Sequence, residues 1–224
     1  MPLGLFRLRN VATANVVGVL WAAAMFAWFF LSALYMQLVL GYGPMQVGLA
    51  FLPANLIMAA FSLGLSAKIV MRFGIRGPLA VGLLLAAAGL ASFAMAPADG
   101  TFAVHVLPGM VLLGIGAGMA FNPVLLAAMS DVSPADSGLA SGLVNTSFMM
   151  GGALGLAVLA SLAAARTSSL AAAGAATRDA INGGYHLAFV LGAICAAGAA
   201  LIGWTVIRAR QAVEATNGDL APAE

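Results

Sequence analysis

Charged residues disappear from this chain after Arg9 and do not return until Lys68. A membrane-spanning helix needs roughly 20 apolar residues, so the interval holds two crossings rather than one. The turn GYGP at 41–44 divides them, predicting spans over 13–39 and 45–69. Clusters of Gly, Pro and charge then set further boundaries. KIVMRFGIRG closes the second span, PADG closes a third over 78–96, and SDVSPADSG closes a fourth over 102–129. A fifth is predicted at 138–163, a polar, Ala-rich loop at 164–184, and a sixth span at 185–207. None of these runs alternates apolar and polar at every second residue, as the strands of a membrane barrel would. The predicted organisation is an N-terminal segment 1–12, a six-helix transmembrane bundle 13–207 and a polar, frayed tail 208–224.

Six crossings place both termini on one side. Seven of the nine basic residues, Arg7, Arg9, Lys68, Arg72, Arg76, Arg208 and Arg210, then fall on the same face as those termini. Arg166 and Arg178 fall on the other. The excess of positive charge predicts that both ends are cytoplasmic. The loop between the fourth and fifth spans offers only Asp131 and Asp136, which contribute little to orientation. Arg7 and Arg9 ahead of an apolar run resemble a secretory signal, but a signal core is roughly 7–15 residues and this run is far longer.

Composition agrees with this division. Hydrophobic residues make up 63% of the chain and charged residues 7%, against roughly 25% charged in soluble domains. So few charges cannot clothe a water-exposed surface, and the chain must meet the lipid bilayer. No basic run with interleaved aromatics exists, which excludes a nucleic-acid partner. The single Cys195 lies in an apolar run and has no cysteine to pair with or His/Cys cluster to join. A packing role is expected, with no metal and no cofactor. The Ala- and Gly-rich composition suits a bacterial source.

A short pattern recurs. PMQVGLAFLPAN at 44–55 and PADSGLASGLVN at 134–145 share Pro, Gly, Leu, Ala and Asn at an offset of ninety. Each copy opens the second helix of a three-helix set, so the copies face opposite sides of the membrane. The expected fold is all-α, six transmembrane helices arranged as a 3+3 inverted repeat, a pattern of secondary transporters. Small residues support close packing, because helices in lipid associate by shape rather than by hydrophobic drive. Gly138 with Gly142, Gly151 with Gly155, and the run GIGAG at 114–118 are candidate packing positions.

The runs YMQLVLGYGPMQVGLAFLP (35–53) and GAGMAFNPVLLAAMSDVSPADSGLASGLVNTSFMMGGALGLAVL (116–159) resemble the start and end of the C-terminal six-helix half of a major facilitator superfamily transporter. Among its branches, the fourteen-helix drug:proton antiporters are the most similar. The resemblance runs from about residue 3 to 207. It implies a carrier of two six-helix bundles around a central cavity, of which this chain supplies the second. It also implies that the proton gradient is the energy source and that the coupling carboxylates lie in the other half. The family's loop motif, G-x-L-x-D-R-x-G-x-R, matches AKIVMRFGIR at 67–76 in Arg72, Gly74 and Arg76. Ala67 and Met71 replace its Gly and Asp. After the NTS of the fifth span, Phe148 and Met149 replace a polar pair.

Candidate chemistry is sparse. Every Asp and Glu falls in a predicted loop or the tail, and His105 near the start of the fourth span reads as an interfacial polar residue. No nucleophile–base set supports an enzyme. Gln37 shares a helical stripe with Phe26, Phe30 and Ala33, which suits either a cavity for amphipathic molecules or a lipid-facing surface. Asn55, Asn122 and Asn145 sit within or at the edge of spans, as interhelical hydrogen-bonding groups or as cavity lining. Asn122-Pro123 marks a candidate helix break. Ser141, Asn145, Phe148 and Gly152 share one helical face. The resemblance implies efflux of amphipathic small molecules as the function, with Phe30, Gln37, Asn55, Asn122, Asn145 and Phe148 as cavity-wall candidates. On that resemblance the chain is expected to be incomplete alone, with a missing N-terminal half or a second copy as its partner. The alternatives are a truncated fragment without transport and a non-transporting membrane partner.

Overall fold

The computed structural model describes residues 9–129, 132 and 136–206. Within them lie six helical spans long and apolar enough to cross a membrane. The first joins α1 (Arg9–Leu34) to a π turn (Tyr35–Val39). The second is made of α2 (Pro44–Ala50), α3 (Leu52–Ala60), a π turn (Phe61–Leu65) and α4 (Ser66–Phe73). The third is α5 (Arg76–Ala94). The fourth joins a π turn (Phe102–Val106) to α6 (Leu107–Met129). The fifth is α7 (Ser137–Ala172) and the sixth α8 (Thr177–Val206). Arg7, Asp131, Pro134, Arg208, Arg210 and the predicted tail 208–224 lie outside the described residues, as does most of the N-terminal segment.

The first four spans fall close to their predicted bounds. The polar loop predicted at 164–184 does not exist as a loop. α7 continues to Ala172 and α8 begins at Thr177, leaving a turn between them. The Ala-rich sequence is a strong helix former, and loss of hydropathy does not end a helix that water can solvate. Gly174 ends it. At φ +87 it permits the paired bonds Ala175 N–H to Leu170 C=O (3.1 Å) and Gly174 N–H to Ala171 C=O (3.0 Å), which satisfy orphan carbonyls. At 36 residues α7 is about 54 Å long, so the hairpin projects well past a hydrocarbon layer of roughly 30 Å. Gly183 and Gly184 zip it closed. A Cβ on Gly184 would meet the Ala163 carbonyl at 2.5 Å, and one on Gly183 would meet Leu170 at 2.5 Å.

α1 is the central helix, packed against α6, α7 and α8. Its buried seam is Ala14, Val17, Trp21, Ala24, Trp28, Leu31 and Tyr35, at alternating spacings of three and four. The small Ala24 between Trp21 and Trp28 lets neighbouring helices interdigitate with the middle of this seam. α5 and α6 run antiparallel in backbone contact. A Cβ on Gly116 would lie 2.6 Å from the Gly82 carbonyl and from the Ala86 nitrogen, and one on Gly89 would lie 3.0 Å from the Gly109 carbonyl. Only Gly permits that approach. The other side of α6 uses the GIGAG run differently. Gly114 accepts the Ala54 backbone and Gly118 accepts Phe61, which holds the second span in place.

One end of the bundle is tied by polar side chains acting on backbone carbonyls at and just beyond helix ends. Tyr35 donates to Pro97 C=O (2.8 Å) and Asn182 to Ala96 C=O (3.1 Å). His186 Nε2 reaches the same Ala96 oxygen at 2.7 Å, and Arg178 Nε donates to Val39 C=O at 2.5 Å. Val39 ends the first span, where carbonyls lack intrahelical donors, and Ala96 and Pro97 lie in the turn after α5; these four side chains serve them.

The second and fifth spans are the least buried of the six. The two copies of the recurring pattern sit on them in matching environments. Gly48 and Gly138 have open space around them. Leu49 and Leu139 are exposed, Ala50 and Ala140 buried, Ala54 and Val144 buried, and Asn55 and Asn145 exposed. The same residue types therefore meet the same surroundings in both halves of the bundle.

Candidate functional site

Between α1, α3, α6 and α7 the bundle opens into a cleft. Its larger chamber, about 380 Å³, has walls that include Trp21, Met25, Phe121, Ser141, Asn145 and Phe148. A second chamber of about 250 Å³ shares Met25 and Phe121 and adds Met58, Gly118 and Asn122. Neither wall contains an acidic, basic or His side chain.

Phe121 and Phe148 line the cleft, and Phe26 backs Phe148 from behind the wall. Phe148 lies 6.2 Å from Phe26 in a tilted pair and 6.1 Å from Phe121 edge-to-face. Edge-to-face and tilted pairs are the favoured arrangements because ring edges are positive and ring faces negative. Phe26 holds its position because α7 carries Gly152 opposite it, where any Cβ would overlap the ring. Gly151 and Gly155 seat α7 on Val19 and Ala23 of α1. The flexible thioethers Met25, Met58 and Met149 adapt the remaining wall to different shapes. The arrangement can enclose an apolar or aromatic body and offer it amide and hydroxyl groups from Asn122, Asn145 and Ser141. It has no group placed for covalent chemistry.

The structure thus brings Asn122, Asn145 and Phe148 to one cleft. It does not bring Phe30, Gln37 or Asn55 there; all three are exposed outside its walls. Pro123 lies inside the continuous helix α6 rather than at a break. Gly151 and Gly155 pack against α1, whereas Gly138 and Gly142 meet nothing within 4 Å. Of the loop motif, Arg72 lies over the Phe73 ring (5.4 Å), Gly74 ends α4 at φ +74, and Arg76 opens α5. His105 accepts the Thr101 N–H at 3.0 Å, a local bond at the start of the fourth span.

Sequence reasoning missed Trp21, Met25, Met58 and Phe121 in the cleft, and His186 and Asn182 at the bundle end. The seven-residue spacing of Trp21, Trp28 and Tyr35 was the available signal for the α1 seam, and His186 was visible inside an apolar run.

Residues 2–156 match the family model described as Major Facilitator Superfamily. The puromycin resistance protein of Streptomyces alboniger is 32% identical over 209 residues, 89% of this chain and 41% of the relative. The cephamycin export protein of Amycolatopsis lactamdurans is 36% identical over 169 residues, 75% of this chain and 35% of the relative. The tetracenomycin C resistance and export protein of Streptomyces glaucescens is 34% identical over 174 residues, 76% of this chain and 31% of the relative. The chain spans less than half the length of these relatives.

Proposed function

The chain belongs to the major facilitator superfamily, and from that premise we propose that it is the C-terminal half of an efflux carrier for amphipathic organic molecules. The observation that carries this reading is the uncharged, aromatic- and Met-lined cleft that opens beside the two least buried spans. Relatives named for antibiotic export and resistance support it. A second six-helix bundle closes the cleft against the second and fifth spans, and transport follows from rocking of one bundle on the other. The proton gradient drives it, with the coupling acid on the other bundle. Both termini of the bundle face the cytoplasm.

The alternative, a fragment without transport, draws support from the 41% or smaller share of each relative that the chain spans. Reconstitution separates the two. Proteoliposomes holding this chain with the N-terminal half of a relative are expected to extrude a fluorescent amphipathic dye when a pH gradient is imposed. The chain by itself is expected to bind the dye without moving it. No dye binding by the chain, and no flux with the added half, would leave the fragment reading.

A further inference from the structure

We propose that α4 is an interfacial docking site for the headgroup of an anionic phospholipid, held by Lys68 and Arg72. The second span runs 30 residues, Pro44–Phe73, about 45 Å if straight and more than roughly 30 Å of hydrocarbon requires. Its α3 portion is locked to α6 through Ala54 on Gly114 and Phe61 on Gly118. Just beyond, Gly64 adopts φ +122 inside the π turn, a conformation costly to any other residue, and the helix changes direction. The segment released by that break, α4, is two-faced. Ser66 is buried, and Ile69 and Val70 are half-buried against the bundle. Lys68 and Arg72, one turn apart, are both exposed on the opposite side. Met71 and Phe73 flank them at 78% and 66% exposure, and the Arg72 guanidinium lies over the Phe73 ring.

Two adjacent cations beside two exposed apolar side chains fit the boundary between headgroup and acyl chain, where charge and oil are both satisfied. A phosphate free in water would use the cations but leave Met71 and Phe73 in water. Among the described residues no carboxylate is paired with Lys68 or Arg72. Charge complementarity favours an anionic occupant beside the membrane, and a lipid phosphate is the one a bilayer supplies in quantity. α4 lies at the end of the second span, beyond the α3 residues that line the cleft, so lipid binding here is read separately from ligand binding there.

The test measures binding of fluorescent phosphatidylglycerol to the full chain in nanodiscs of zwitterionic lipid. Each basic residue near an anionic membrane contributes about fivefold in affinity, so Lys68→Gln with Arg72→Gln is expected to weaken binding by roughly 25-fold. Met71→Asp places a carboxylate between the two cations and is expected to weaken binding while leaving both in place. Inorganic phosphate is expected not to displace the labelled lipid. Wild-type affinity in both variants would overturn the proposal, as would equal binding of labelled phosphatidylcholine. Displacement by phosphate alone would overturn the lipid as source and make this a site for a soluble anion. Circular dichroism of each variant checks that the helices persist.

Discussion

Phe148 touches two rings at once, Phe26 on α1 and Phe121 on α6. Each such pair contributes about 0.5–1.5 kcal/mol beyond area burial. Phe148→Ala is expected to weaken binding of an aromatic dye by about tenfold while leaving the fold intact, as read by fluorescence titration of the chain in nanodiscs. Gly152→Ala acts on the same wall indirectly. Its methyl group displaces the Phe26 ring, so dye affinity falls although Gly152 is itself no ligand. The stripe of Phe26, Phe30, Ala33 and Gln37 shows what periodicity leaves out. Helical spacing says which residues share a face, not what that face meets. Here the π turn at Tyr35–Val39 inserts an extra residue in the turn and rotates Gln37 relative to Phe26. Asn145 and Phe148 were legible because α7 is regular between them.

Glycines distinguish packed from open helix faces. Gly116→Val forces α5 from α6, since even a Cβ there lies 2.6 Å from backbone atoms of both Gly82 and Ala86. The expected cost is about 1–3 kcal/mol or more, measured by unfolding in mixed micelles. Gly142→Ala, with nothing within 4 Å, is expected to leave the chain's own stability unchanged or slightly raised. If α7 meets a partner bundle there, the same variant weakens that association, and co-purification with the partner half reads it. Gly174→Ala tests the hairpin turn. It has room but the wrong φ, so a loss of about 1 kcal/mol and faster proteolysis at the turn are expected. The α7–α8 hairpin escaped sequence reasoning because falling hydropathy marks where a helix leaves lipid, not where it ends.

Six crossings need one another unequally. α1 is packed on several sides, while the second and fifth spans keep most of their surface open. On the proposed function, the chain is expected to bind ligand at its exposed cleft and to need a second bundle for directional flux. Flux by the isolated chain at the rate of the two-bundle assembly would overturn that expectation. The number of spans, the membrane environment and the short pattern recurring at an offset of ninety followed from the sequence alone. Each depends on hydropathy, length or local composition, which the chain carries without reference to its fold. Only the tertiary structure decided which glycines are packed, where Trp21, Met25 and Phe121 converge, and which side of each helix is open. In lipid every face of a helix is apolar, so the contrast that separates inside from outside in water is absent. Side-chain size and backbone approach replace it, and these take meaning only when two helices meet.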